Sequence, residues 1–280
     1  MQLINVNGRL VEHDQPCILA TNHSYRYGHG LFETMKVRDG VILLSDLHFE
    51  RLFKGISILK ISVPESFSLE RLQNEITDLC NKNNCEKLAR VRLSVSGGNG
   101  GLNDTGGAPD YLIECWPLTE SVKGLNNAEG LIVDVFADAR KSCDVFSNLK
   151  CSSHLPYVMA ARSAKENKFN DCFVLNNFDR ICDSTIANVF WIKNGAVFTP
   201  PLSEGCIAGV MRRYLINKSR LTKYKAQEKM CEVGDLESAD EIFLTNAIRG
   251  IRWVKRFRGK DYLNIVTAEI YKELVCGLLN

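Results

Sequence analysis

A lysine amine can bond a carbonyl carbon, and a carboxylate held away from water can answer a cation. Residue types for both tasks occur in two stretches of this 280-residue chain. One is Ser147-Asn148-Leu149-Lys150-Cys151-Ser152-Ser153-His154. The other is Arg180-Ile181-Cys182-Asp183-Ser184-Thr185-Ile186-Ala187-Asn188-Val189-Phe190, with Asn188 five residues after Asp183. Neither stretch is distinctive alone. With 35 Lys and Arg in the chain, the default for Lys150 is a solvated surface residue, so a chemical role has to come from its context.

That context is a set of elements able to position anion-binding groups. Apolar residues Phe49, Leu52, Phe53, Ile56 and Leu59 recur at helical spacing over residues 47–59, with Ser45 or Asp46 as the expected cap. Arg51 flanks that stripe one turn from His48; it is either a snorkelling surface group or an inward phosphate ligand. Residues 89–96 alternate as a strand, placing Arg90 and Arg92 on one side and Val91, Leu93 and Val95 on the other. Such a face is commonly solvated, and it is also where a carboxylate could be gripped. The run from Gly205 through Gly209 opens a helix to about residue 218, whose first amides can bind phosphate without a charged side chain. Residues 241–251 read as a strand ending in Thr245-Asn246.

The rest of the chain supplies framework. Asn7-Gly8 and Arg38-Asp39-Gly40 are hairpin turns, and residues 66–83 are amphipathic. Residues 111–116, 131–136 and 172–175 read as strands. Residues 140–150 read as an irregular connection delivering Lys150, and residues 155–168 as a helix with Pro156 in its first turn. Residues 189–192 and 196–198 form a hairpin, and residues 266–279 a terminal helix. The glycine-rich segment 97–107 lacks the lysine and following helix of a nucleotide loop and is expected to be flexible cover. The polar run 118–124 breaks the periodicity, which divides the chain into a domain at 1–117, a linker at 118–124 and a domain at 125–280.

Composition narrows the function classes. Basic and acidic residues number 35 and 33 and are well mixed, so no basic stripe points to nucleic acid. No apolar run approaches the roughly 20 residues of a membrane helix, and the first residues lack a signal-peptide pattern, so a cytoplasmic protein is expected. The 11 cysteines show no CxxC pair; they are expected to be small buried apolar residues, with no metal site.

Five segments read in order resemble the fold-type IV pyridoxal-phosphate enzymes, the class IV aminotransferases. They are YGHGLFETMKV at residues 27–37, HFERL at 48–52, the stretch ending in Lys150, the Asp183 segment with TPPLSEGCIAGVMRR at 199–213, and EIFLTNAIRG at 241–250. The resemblance implies an α+β fold of two domains, a small N-terminal α/β domain and a larger, barrel-like C-terminal α/β domain that binds the cofactor, with the site between them. It implies pyridoxal 5'-phosphate as cofactor, Lys150 as the lysine that bonds it and moves the substrate proton, and Asp183 as the acid facing the ring nitrogen. Arg51, Asn188, the amides of Val210 and Met211, and Thr245 or Asn246 complete the implied cofactor site. Arg92, Phe32 and Tyr27 are implied to line the substrate. A small amino-carboxylate substrate and a homodimer are implied as well.

The chain departs from the family at points that bear on chemistry. Asp183 stands where the family normally has glutamate, and Met211 where a threonine is often found. Leu155 replaces the tyrosine usual in branched-chain aminotransferases, and Phe32 and Gly97 replace the carboxylate trap of D-amino-acid members. The pattern most resembles the aminodeoxychorismate lyases, which eliminate pyruvate to give 4-aminobenzoate for folate, although Leu102 stands where some lyases have a basic residue. The alternatives are a branched-chain-type transaminase using 2-oxoglutarate and a non-catalytic relative.

Overall fold

The computed structural model describes residues 2–104, 109–119 and 129–279. The linker expected at 118–124 falls mostly on residues 120–128 and lies to that extent outside the described residues, as do residues 105–108 of the glycine-rich segment. Two compact units divide the chain, Met1–Glu120 with Leu149–Ser153, and Ser121–Asn148 with His154–Asn280. The Lys150 stretch thus packs with the first unit, although it lies beyond the expected linker.

In the first unit β1 (Leu3–Val6) and β2 (Arg9–Glu12) turn over Asn7 and Gly8, both with positive φ. A short helix α1 (His23–Tyr27) follows, capped by the Asn22 side chain and ended by left-handed Gly28. Then come β3 (Gly30–Arg38), β4 (Val41–Ile42), α2 (Ser45–Ile58), α3 (Leu69–Lys82), β5 (Leu88–Ser96) and β6 (Asp110–Pro117). The strands form one antiparallel sheet in the order β2-β1-β6-β5-β3-β4. Its core joins Val91, Leu93 and Val95 of β5 to Phe49, Leu52 and Ile56 of α2, as the two periodicities predict. The cap of α2 differs from expectation. Leu44 occupies it at φ 56° with no side-chain bond, and Ser45 Oγ instead accepts from Gln73 Nε2 at 2.8 Å.

Glycine-rich residues 97–101 do not hang loose as the sequence suggested. His23 N donates to Gly98 O at 2.8 Å, and Gly100 N donates to Thr21 O at 2.9 Å, fastening the segment beside α1. The thiols of Cys80, Cys85 and Cys115 also converge, their sulfurs all within 4.8 Å of one another in the core. Cys80 and Cys85 meet because the chain folds back at the end of α3 through Asn84 at φ 53°, with Cys85 N donating to Cys80 O at 2.9 Å. Cys115 arrives from β6, a pairing that sequence spacing does not reveal.

The second unit contains β7 (Leu131–Lys141), α4 (Leu155–Glu166), β8 (Asp171–Asn176), β9 (Ile181–Ser184), β10 (Asn188–Lys193), β11 (Ala196–Thr199), α5 (Val210–Ser219), β12 (Ala226–Glu228), α6 (Val233–Ser238), β13 (Glu241–Asn246), β14 (Gly250–Phe257), β15 (Lys260–Asp261) and α7 (Ile265–Ile270). The last continues through a π turn at Tyr271–Val275 into Cys276–Leu279. Six strands close into a ring in the order β10-β13-β14-β7-β8-β9, because β9 pairs back onto β10. β7 runs parallel to both of its neighbours, and the other ring pairings are antiparallel. β8 is buried at every position, Phe173 and Leu175 packing in one apolar cluster and Cys172 and Val174 in another beside α4. A strand covered on both faces reads as a continuous apolar run, which is how residues 172–175 look in the sequence. β7 is longer than its apolar part: pairing with β8 skips residues 137–139 and resumes at Arg140, so alternation is lost where the strand continues. Among the described residues no helix is long and apolar enough to cross a membrane.

One buried charge cluster ties α2 to the sheet. Glu33 on β3 accepts His48 Nδ1 at 2.7 Å, Arg51 Nε at 2.7 Å and Arg51 Nη2 at 2.5 Å. Burial pushes the Glu33 carboxyl up, but the Arg51 guanidinium and the hydrogen bonds from His48 and Arg51 outweigh this and hold it down at about 2. A carboxyl depressed in this way adds stability that is complete above its ordinary value of 4.5 and is lost as pH falls toward 2. Removing one partner of such a cluster strands the other charge. Glu33→Gln is therefore expected to lose about 3–5 kcal/mol in urea unfolding at neutral pH. The variant should also show a flatter stability profile than the parent between pH 4.5 and 2.

Candidate active site

Lys150 reaches its place through backbone pairing with β3. Phe32 N donates to Lys150 O at 2.9 Å and Ser152 N donates to Gly30 O at 2.9 Å, so residues 150–152 lie as a short extra strand beside the start of β3. The glycines before β3 make room for it. A Cβ on Gly28, at φ 68°, would stand 3.0 Å from Ser153 Cβ, and one on Gly30 would stand 3.0 Å from Ser152 Oγ as well as 2.0 Å from Ser24 Oγ. Leu149 anchors the stretch in the apolar core of the first unit.

Phe32 collects two cations. Lys150 Nζ lies 4.6 Å from its ring centroid and Arg92 Cζ lies 3.8 Å from it. Arg92 is the more unusual of the two. Burial lowers its pKa, its cross-strand neighbour Glu114 offsets part of that, and Arg90 adds to it. Its Nε donates to Ser94 Oγ at 3.1 Å, and among the described residues no carboxylate lies within ion-pair distance. A half-buried guanidinium on an aromatic ring, with no carboxylate at ion-pair distance among the described residues, has the chemistry to bind a carboxylate.

The other residues named from the first unit stand apart from this group. Arg51 is bound to Glu33, which points to the opposite face of β3 from Phe32, so its charge is already balanced by a carboxylate. Tyr27, at the end of α1, is exposed and meets His23 edge-on at 5.4 Å.

In the second unit Asp183, Asn188 and Thr245 form one row across three adjacent strands, since Asn188 pairs with Asp183 on one side and with Thr245 on the other. Directly opposed residues of antiparallel strands share a face, so the three side chains point the same way. The five-residue spacing of Asp183 and Asn188 is that of a tight β9–β10 hairpin, closed by Ser184 N donating to Ala187 O at 2.8 Å. The Asp183 carboxylate is 1% exposed. Its Oδ1 accepts Asn188 Nδ2 at 2.8 Å, and its Oδ2 accepts Tyr157 OH at 2.7 Å, Ile207 N at 2.8 Å and Lys141 Nζ at 3.4 Å. Burial raises its pKa; Lys141 and the bonds from Ile207 and Tyr157 oppose the rise.

The phosphate-type features sit at the same row. Gly209 precedes α5 with no side-chain cap, and Arg213 N donates to Gly209 O at 2.9 Å as the first helical bond. The amides of Val210 and Met211 therefore have no partner within the helix, the usual condition of an anion-binding helix start. Glycine is required here, because a Cβ would stand 1.8 Å from Asn188 Oδ1. Thr245 Oγ1 is buried with no hydrogen-bond partner among the described residues. A buried hydroxyl left unbonded costs free energy unless a ligand accepts from it, so these groups fit a bound phosphate. Asn246 is used otherwise: its Oδ1 accepts Arg249 N at 2.8 Å and Ile248 N at 3.1 Å to close the turn into β14.

Lys141 and Tyr157 were not singled out from the sequence. Tyr157 lies in the first turn of α4, where an aromatic reads as packing; Lys141 lies past the break in β7 pairing, and nothing in its neighbours marks it as buried.

Comparison with known proteins bears on the family and the fold. The amino-transferase class IV family model matches residues 30–257. The chain is 28% identical over 253 residues to the aminodeoxychorismate lyase of Bacillus subtilis (strain 168), covering 88% of this chain and 83% of that one. It is 26% identical over 275 residues to a putative branched-chain-amino-acid aminotransferase of Methanocaldococcus jannaschii, covering 97% and 93%. Among solved structures, the Escherichia coli branched-chain amino acid aminotransferase superposes with a TM-score of 0.86 at 22% identity, over 97% of this chain and 92% of that one. With a family match over most of its length and this fold, the chain belongs to the class IV aminotransferases, enzymes dependent on pyridoxal 5'-phosphate.

Proposed function

We propose that the chain is a 4-amino-4-deoxychorismate lyase, releasing pyruvate from an amino-carboxylate substrate to leave 4-aminobenzoate. The observation that carries this reading is Arg92, half-buried on the Phe32 ring beside Lys150 with no carboxylate within ion-pair distance among the described residues. The resemblance to the Bacillus subtilis lyase supports it.

Each residue then has a defined task. Lys150 would hold the cofactor through its side-chain amine, and the same amine would take the proton from the carbon bearing the substrate amino group. Loss of that proton expels the enolpyruvyl ether oxygen, and protonation of the departing carbon gives pyruvate. Arg92 holds a substrate carboxylate through the guanidinium edge not turned to Ser94. The amides of Val210 and Met211 and the Thr245 hydroxyl would hold phosphate, and Asp183, whose Oδ1 carries one donor where Oδ2 carries three, would hold the ring nitrogen. Arg51, balanced by Glu33, serves through its donors more than its net charge. When bound, pyridoxal 5'-phosphate withdraws electrons from the carbon that loses its proton.

The deciding experiment is incubation with aminodeoxychorismate, and separately with leucine and 2-oxoglutarate. Pyruvate released without an amino acceptor supports the lyase; glutamate formed from the second mixture, with no pyruvate from the first, assigns a transaminase instead. Lys150→Ala should lose the borohydride-sensitive absorbance of the bound cofactor and essentially all turnover. Arg92→Met should raise KM for substrate about 10–100-fold with a smaller change in kcat, as measured by initial rates, because it removes a contact made in ground and transition states alike. Thr245→Val separates ligand binding from folding. Its thermal midpoint without cofactor should be unchanged or higher, while the Kd for pyridoxal 5'-phosphate rises about tenfold, the equivalent of about 1.4 kcal/mol.

A further inference from the structure

Lys141 ends β7 and is buried, its Nζ 3.4 Å from Asp183 Oδ2 and 5.1 Å from the Tyr157 ring centroid. Its place depends on the break in β7. Val133 to Phe136 pair with Asp171 to Val174, and an uninterrupted register would set Asp138 opposite Asn176. Skipping residues 137–139 sets Lys141 there instead, exchanging an acid for a base beside the buried carboxylate.

The other titratable groups facing Asp183 are Tyr157 from α4, Cys182 from β9 itself and Cys206 from the segment before α5. Burial first, and then the Asp183 charge, pushes all three up, Cys206 to about 12. They stay neutral near pH 7, and among the described residues Lys141 is the cation at ion-pair distance from this carboxylate. Three donors, Lys141 among them, converge on Oδ2, while Oδ1 has only Asn188.

Resting on the assignment of Asp183 to the ring nitrogen, we propose that Lys141 shares this carboxylate with the cofactor, so that the ring nitrogen holds its proton less tightly than it would against a lone acid. Lys141 is a positioning residue in this role. It touches neither substrate nor the reacting carbon, and it acts by offsetting the negative charge that keeps a pyridine nitrogen protonated. The aspartate here, one methylene shorter than glutamate, then works as half of an ion pair. The electron demand of the cofactor becomes a property of Asp183 and Lys141 together.

The test is the ¹⁵N chemical shift of the pyridine nitrogen in holoenzyme loaded with [¹⁵N]pyridoxal 5'-phosphate, followed against pH in the parent, Lys141→Met and Lys141→Arg. The expected result is a nitrogen that stays protonated to a pH at least one unit higher in Lys141→Met, equivalent to a tenfold tighter proton, with Lys141→Arg following the parent. Coincident titrations in the parent and Lys141→Met would overturn the proposal, while an Asp183→Asn holoenzyme whose ring nitrogen titrates as in the parent would instead overturn the site assignment beneath it. If Lys141→Met does not fold, Lys141→Gln takes its place. If neither folds, the parent decides: deprotonation below about pH 9 supports the proposal, and a ring that remains protonated beyond it refutes it.

Discussion

The second unit is arranged around a carboxylate that water does not reach. An isolated buried carboxylate is costly, and Asp183 is tolerated only because donors arrive from four separate places in the chain: Lys141 from β7, Tyr157 from α4, Asn188 from β10 and the Ile207 amide ahead of α5. Each donor constrains the element that carries it. The β9–β10 hairpin has the length that sets Asn188 opposite Asp183, and the ring must close through β9 for that pairing to exist. Gly209 has to be glycine because Asn188, engaged with Asp183 and with Ile207 O, fills the space a side chain would need. The start of α5 is thereby coupled to the buried acid.

The first unit solves a different problem, the presentation of a lysine on a strand edge. Backbone bonds to β3 fix the Lys150 stretch, and small residues at 28 and 30 allow it to come close. The aromatic ring of Phe32 then holds Lys150 and Arg92 near each other. Glu33, next in the chain, points the other way, balances Arg51 and bonds His48. Alternation along one strand separates a buried carboxylate from a ring that carries two cations.

Relatives at 22–28% identity share this fold and divide between lyase and transaminase names. Fold is robust to such divergence because it depends on apolar patterning and hydrogen-bonded pairing, which many sequences satisfy. Reaction choice depends on a few side chains and their charges. In this chain a buried lysine stands against the Asp183 carboxylate.

Much of the framework was legible in the sequence by itself. The helical stripe of α2, the arginine-bearing face of β5, the tight turns and the buried run of β8 follow from periodicities of 3.6 and 2 and from turn residues. The candidate lysine, acid and helix start came from motif order, which the family match supports while leaving individual roles to experiment. Tertiary structure decided what surrounds them. Lys141 reaches Asp183 only through a break in strand register; Thr245 becomes an unbonded hydroxyl only when β13 lies against β10; Cys115 joins Cys80 and Cys85 only across the packed face of the first sheet. The physical reason is the same in each case. Local patterns specify which face of an element is apolar, whereas partners for a buried polar atom are chosen by long-range pairing, and that is set by the whole closed sheet.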